Sequence, residues 1–109
     1  MKIDVKPGVF IKAINDHFWA VCQIVWEEYQ KQGAIPTLTS GAEGAHMVGS
    51  MHPLGEAWDW RTWNLKDPAA AFSGIRNRLE FLDPAFDTVW EEKAGVKWIH
   101  TEFDLKKGG

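Results

Sequence analysis

The spacing of hydrophobic positions along this 109-residue chain predicts two helices. Between Pro7 and Gly33, apolar residues recur every three or four positions, which is the pattern of a helix with one buried face. The members of this apolar stripe are Phe10, Ile14, Phe18, Val21 and Val25. A second helix is predicted to begin after Asp67, a natural N-cap followed by Pro68, and to end at Asp83. The buried positions expected in it are Ala71, Ile75, Leu79 and Leu82.

Short runs of alternating or β-branched residues predict strands in the rest of the chain. They cover residues 35–40, 56–61, 85–92 and 96–103, and residues 1–6 form either a short edge strand or a frayed arm. Lys93-Ala94-Gly95 separates the last two strands, as expected of a short glycine-containing hairpin loop. The sequence therefore predicts one α+β domain over residues 1–109, in which both helices pack on one side of a small, mainly antiparallel sheet.

Strand alternation also predicts which side chains share a face of the sheet. Asp59 falls on the face of Ala57 and Arg61. In the last strand Trp98, His100 and Glu102 share one face, and Ile99, Thr101 and Phe103 point into the core. Of the seven tryptophans, Trp19, Trp26 and Trp90 are expected to pack in the core, whereas one or two of Trp58, Trp60 and Trp63 are candidates to line a cleft.

Charge and cysteine content exclude several classes of function. The formal net charge is -3 and the charged residues are scattered, so no basic surface for nucleic acid is expected. Cys22 is the only cysteine, which excludes an intrachain disulfide and a thiolate metal cluster. The amino terminus lacks the apolar core of a signal peptide, and no run of eighteen apolar residues predicts a membrane segment. We expect the chain to be cytoplasmic as synthesised.

Two separated motifs supply residue types that bind metals. The first contains His52 and Asp59, and the intervening Pro53 and Gly55 favour the turn needed to bring both side chains to one cleft. The second contains His100. One carboxylate and two imidazoles form a ligand set that leaves the fourth position of a tetrahedral zinc ion open for water. The sequence thus predicts a catalytic zinc site on the sheet face opposite the helices.

The order Ser50-x-His52, six residues, Asp59 and a late Trp98-x-His100 resembles the zinc D-alanyl-D-alanine peptidases and related phage endolysins. That superfamily also contains the amino-terminal domain of sonic hedgehog. The resemblance spans roughly residues 36–103, and it implies that His52, Asp59 and His100 hold zinc. A hedgehog/D,D-peptidase-like fold is expected with it.

The same resemblance implies roles for residues around the metal. Phe86-Asp87-Thr88-Val89-Trp90-Glu91-Glu92 resembles the strand that brings in the catalytic carboxylate. Glu92 is the first choice of base and Glu91 the second; because neighbours on a strand face opposite sides, only one of them can serve. Glu102 is a third candidate, better suited to a supporting or surface role.

Substrate contacts are expected on both sides of the metal. His46 lies six residues before His52, as in the hedgehog-like branch, and either binds substrate or an oxyanion or is an exposed loop histidine. Ser50 and Trp98 are further substrate-binding candidates. The D-alanyl-D-alanine enzymes carry an Arg shortly after Thr-Ser-Gly, but here Thr39-Ser40-Gly41 is followed by Ala42 and Glu43, so Arg61 is the candidate substitute.

The predicted function is zinc-dependent hydrolysis of peptidoglycan peptides. The bond is either a D-alanyl-D-alanine end or an L-alanyl-D-glutamate link, and the chain acts on the cell wall when released or carried in a phage particle. Two alternatives remain open: a catalytically silent, hedgehog-like zinc-binding module, and a phage structural protein that kept the fold.

Overall fold

A five-stranded sheet and two helices form the fold. The computed structural model describes residues 1–12, 14–43, 54 and 56–105. In chain order the elements are β1 (Asp4–Val5), α1 (Asp16–Gln30), β2 (Thr37–Ser40), β3 (Ala57–Arg61), α2 (Pro68–Leu82), β4 (Phe86–Lys93) and β5 (Val96–Phe103). The strand order is β1-β2-β3-β5-β4, and only β1 and β2 pair in parallel. This confirms the α+β class and the small, mainly antiparallel sheet.

The first helix begins later than its hydrophobic spacing predicts. It starts at Asp16, after Asn15, whose side chain accepts a hydrogen bond from the backbone N–H of Phe18. Upstream, the backbone N–H of Phe10 donates to Glu43, and the carbonyl of Phe10 accepts from Ala42. The predicted start at Pro7 is therefore wrong, because the backbone at residue 10 bonds to the end of β2 and not to a helical turn. Phe10 and Ile14 are accordingly exposed, and the buried stripe begins at Phe18.

The second helix has the predicted limits. The Asp67 side chain accepts from the backbone N–H of Ala70, Pro68 occupies the first turn, and Asp83 follows the last turn with extended backbone. The side chains buried by this helix are Ala71, Ile75 and Leu79. Leu82, predicted to continue the stripe, is exposed at the helix end.

One hydrophobic core joins both helices to the same face of the sheet. The sheet contributes Leu38, Trp58, Trp60, Phe86, Ile99 and Phe103. Trp58 and Trp60 are fully buried in this core, so neither lines a cleft, and the ring of Trp58 contacts that of Phe18 from α1. Cys22 is buried as expected, and burial raises the pKa of its thiol to about 12.

Two tryptophans are largely exposed to solvent. Trp19, predicted to pack in the core, is 51% exposed, and Trp63, two residues beyond the end of β3, is 79% exposed. Trp19 follows Phe18 on α1, and that helix buries one face only. Among the described residues, no helix is both long enough and apolar enough to cross a membrane.

An ion-pair cluster clamps the two helices together. Glu28 on α1 is only 5% exposed, and its carboxylate contacts Arg78 on α2 at 3.0 Å and Lys31 at 2.7 Å. A methyl group on Gly74 of α2 would lie 1.9 Å from Oε1 of Glu28. The helices therefore approach closely at a glycine, and the buried charge is neutralised from both helices.

A two-residue turn sets the register of the β4–β5 hairpin. Ala94 and Gly95 both have positive φ angles, 52° and 81°, as in the turns that favour tight hairpins. Lys93 therefore pairs directly with Val96, and farther from the turn Glu91 pairs with Trp98. Ile99, Thr101 and Phe103 are buried on the core side, as strand alternation predicts.

Candidate metal centre

The sheet face opposite the helices carries the polar residues of the candidate site. Three adjacent strands place cross-strand neighbours in rows, so that side chains in a row stand side by side. Each row crosses the face from β3 through β5 to β4. The three rows are Arg61–Trp98–Glu91, Asp59–His100–Val89 and Ala57–Glu102–Asp87. The predicted faces of β3 and β5 are confirmed, and two predicted metal ligands, Asp59 and His100, occupy the central row.

Asp59 and His100 are in direct contact. Oδ1 of Asp59 lies 2.7 Å from Nδ1 of His100, and both residues are buried although they face away from the helical core. The other ring nitrogen of His100, Nε2, lies 2.7 Å from Oε1 of Glu102. The imidazole is thus held at both nitrogens by carboxylates, which fixes the direction of its ring plane.

These carboxylates change the acidity of His100. Burial by itself lowers the pKa of the imidazole, because the charged form loses water. The hydrogen bond and charge of Asp59, the hydrogen bond of Glu102 and the charge of Glu91 oppose that effect and raise the pKa to about 9. The metal-free site at neutral pH therefore holds an imidazolium that donates to both Asp59 and Glu102.

Glu91 completes a set of three converging groups. Its Oε1 lies 3.5 Å from Nδ1 of His100 and accepts a hydrogen bond from the indole N–H of Trp98 at 2.8 Å. One ligand atom comes from each of Asp59, Glu91 and His100, and these three atoms lie within 4.8 Å of one another. Two carboxylates and an imidazole are a donor combination that divalent metals accept.

The spacing of the central pair fits a metal ion once the proton between them is removed. Ligand atoms about 2.0 Å from a tetrahedral ion stand about 3.3 Å apart. The pair Asp59–His100 would therefore open by roughly half an ångström on binding. The Nε2–H of His100 can keep its bond to Glu102, the supporting contact that metal-bound histidines usually make.

Of the two glutamates proposed as base, the structure brings Glu91 to the site and not Glu92. Glu92 pairs with Lys97 and is exposed, with its side chain directed to the opposite side of β4 from Glu91. Glu102, the third candidate, contacts the far nitrogen of His100, which gives it the supporting role that the sequence favoured for it.

Three predicted site residues lie outside the described part of the chain. They are His46, Ser50 and His52, and Pro53 and Gly55 of the predicted turn lie outside it as well. His52 therefore stays a prediction as the third zinc ligand. Just after that stretch, Glu56 accepts a hydrogen bond from the Asn15 side chain and contacts His17 of α1 at 3.0 Å, which connects the start of β3 to the first helix.

A cavity of about 830 Å³ extends from Asp59 past the ends of β3 and β5. Arg61 and Trp98, both predicted to contact substrate, line it together with Trp63. The guanidinium of Arg61 lies 4.5 Å from the centre of the Trp63 ring, a cation–π contact at the mouth of this space. Among the tryptophans considered as cleft-lining, Trp63 is thus the one that borders the cavity.

The sequence alone did not indicate the hydrogen bonds that organise the site. The hydrogen bond from Trp98 to Glu91 depends on the hairpin register, and the sequence signal for that register is the Ala94-Gly95 turn.

Comparisons of the chain with models of known protein families, with curated proteins and with solved structures find no match.

Proposed function

We propose that this chain is a zinc-dependent peptidase that hydrolyses peptidoglycan peptides, of D-alanyl-D-alanine carboxypeptidase or L-alanyl-D-glutamate endopeptidase type. The observation that carries the proposal is the buried convergence of Asp59 and His100 with Glu91 beside them. The substrate class comes from the resemblance of the Ser50-x-His52 and Trp98-x-His100 motifs to the zinc D-alanyl-D-alanine peptidases.

In this proposal Asp59, His100 and His52 hold the ion. A zinc ion held there supplies a Lewis acid that polarises the peptide carbonyl and lowers the pKa of a water molecule toward about 7. Asp59 contributes a carboxylate oxygen and His100 contributes Nδ1, while Glu102 accepts the Nε2–H of His100 and keeps the ring in the tautomer that can bind metal.

Glu91 is the general base of the proposed reaction. It is 38% exposed on the site face, so substrate and water can reach its carboxylate. It takes a proton from the attacking water and passes it to the nitrogen of the scissile amide, whose C–N bond breaks to give a carboxylate and an amine. His46 stabilises the oxyanion, a role that the family resemblance assigns to it.

The cavity beside Asp59 accommodates the peptide in this proposal. A volume of about 830 Å³ is in the range of pockets that bury small ligands. Arg61, held against Trp63, offers a guanidinium to a peptide carboxylate, and Trp98 supplies an apolar wall. Ser50 is a further candidate contact on the strength of the motif.

Hydrolysis of defined muropeptides tests the proposal. Zinc-loaded protein is incubated with disaccharide tetrapeptides and pentapeptides, and the products are identified by mass spectrometry. We expect cleavage by the wild type, loss of cleavage with zinc retained in Glu91→Gln, and wild-type cleavage in the matched variant Glu92→Gln. A wild-type protein that binds zinc and cleaves none of these peptides would instead support the silent zinc-binding module, whose metal stabilises the fold.

A further inference from the structure

Trp98 makes a specific polar contact that its apolar role as a cavity wall does not require. Its indole Nε1–H donates to Oε1 of Glu91 at 2.8 Å. The two residues are direct cross-strand partners of β5 and β4, so the backbone register itself brings them together. An indole has a single polar hydrogen and donates only, which makes this contact directional.

The contact restrains a side chain that would otherwise be mobile. Glu91 is 38% exposed, and an exposed glutamate has several rotamers of similar energy. Trp98 is half-buried and attached to a paired strand, so its ring is a rigid donor. The hydrogen bond selects the Glu91 rotamers that keep the carboxylate next to His100.

The two oxygens of Glu91 have different surroundings. Oε1 accepts from Trp98 and lies 3.5 Å from Nδ1 of His100. No described residue forms a hydrogen bond or an ion pair with Oε2. A general base needs this arrangement, with one oxygen fixed by donors and the other free to accept a proton from water.

We propose that Trp98 is a positioning residue, whose indole N–H fixes one oxygen of Glu91 and leaves the other directed at the attacking water. This inference rests on the proposed function, in which Glu91 is the base. Fixing the base in a reactive geometry accelerates proton transfer because the orientation is established before the reaction begins.

The hydrogen bond can be tested without zinc and without turnover. In ¹⁵N-labelled protein, the indole cross-peak that disappears in Trp98→Phe belongs to residue 98. Glu91→Ala removes the acceptor, and we expect that cross-peak to move upfield, whereas the neighbouring variant Glu92→Ala leaves it in place. An unchanged cross-peak in Glu91→Ala would show that the bond does not form in solution and would overturn the proposal.

Steady-state kinetics test the catalytic consequence. We expect Trp98→Phe, which keeps an aromatic ring and removes the donor, to lower kcat by roughly ten- to a hundredfold. KM and the zinc content should stay within about twofold of wild type, as should all parameters of the control variant Trp19→Phe on α1. A loss of zinc in Trp98→Phe would show that Glu91 acts as a metal ligand, which contradicts the proposal.

Two experimental outcomes separate the role of Trp98 from the proposed peptidase activity. A zinc-loaded wild type without peptide cleavage removes the proposed function, and the role of Trp98 falls with it. Wild-type cleavage that Trp98→Phe leaves unchanged removes the role of Trp98 alone and leaves the proposed function standing.

Discussion

Nδ1 of His100 lies 2.7 Å from Oδ1 of Asp59, although 41 residues separate them in the chain. The pairing of β3 with β5 produces this contact, because it makes the two residues direct cross-strand neighbours on the face away from the helices. Without metal the contact is a hydrogen bond from an imidazolium to a carboxylate. A divalent metal ion held by these two residues would take the place of the shared proton.

The metal-free protein should lose stability as the solution becomes alkaline. The pKa of His100 is raised from 6.5 to about 9 on folding, so the folded state binds this proton more tightly than the unfolded state does. The added stability is complete below about pH 6.5 and is lost as the pH rises through about 9. At one pKa unit per 1.4 kcal/mol it amounts to about 3 to 4 kcal/mol.

Urea unfolding in the presence of a chelator at pH 6 and pH 9.5 measures this effect. We expect a lower free energy of unfolding at the higher pH, and a smaller difference between the two pH values in the variant His100→Gln. Equal stability of the wild type at both pH values would contradict the paired imidazolium.

Glu102 should support metal binding without being a ligand. Its carboxylate accepts from Nε2 of His100 at 2.7 Å, the contact that orients a metal-bound ring and raises its basicity. We expect Glu102→Ala to weaken zinc binding by about 10- to 100-fold in calorimetric titrations. The exposed helix variant Glu80→Ala is the control and should bind zinc as the wild type does; equal affinity in both variants would remove the supporting role.

The third ligand can be identified by comparing two variants. The motif spacing predicts His52, whereas the geometry of the described residues also offers Glu91. If His52 is the ligand and Glu91 the base, the variant His52→Ala does not bind zinc at micromolar zinc concentrations, whereas Glu91→Gln does. Zinc content by metal analysis decides, and the reverse result would place Glu91 in the ligand set and remove it as the base.

The close approach of the helices makes a further prediction about stability. An added methyl at Gly74 would collide with Glu28, which its bonds to Arg78 and Lys31 hold in place. We expect Gly74→Ala to lower the free energy of unfolding by about 1 to 3 kcal/mol. In a Glu28→Ala background the collision is gone, and the same substitution should stabilise the helix by about 0.5 to 1 kcal/mol. Denaturant unfolding of the four proteins tests this; a Gly74→Ala effect independent of Glu28 would contradict it.

Much of the fold could be predicted from short patterns in the sequence. The limits of α2 are examples. Asp67 caps its first turn, the ring of Pro68 restricts φ in the same turn, and the helix ends at Leu82, before Asp83. The faces of β3 and β5 follow from strand alternation alone. The start of α1 could not be predicted in this way, because the helical spacing of Phe10 and Ile14 continues upstream while the backbone there bonds to residues 42 and 43.

The choice between Glu91 and Glu92 depended on a single residue of register. The three-residue loop over 93–95 that the sequence predicts would pair Glu92 with Val96 and would place Glu92 on the face of His100. The observed two-residue turn adds the pair Lys93–Val96, and a shift of one residue exchanges the two faces of β4. The signal was the Ala94-Gly95 pair, although alanine rarely adopts the positive φ that this turn requires.

Zinc titration of the purified, chelator-treated protein shows whether Asp59 and His100 bind a metal ion. We expect one zinc ion bound per chain in the wild type, with binding lost in Asp59→Ala and in His100→Gln while both variants stay folded by circular dichroism. A wild-type protein that takes up no zinc would contradict this expectation, as would folded variants that bind zinc as tightly as the wild type.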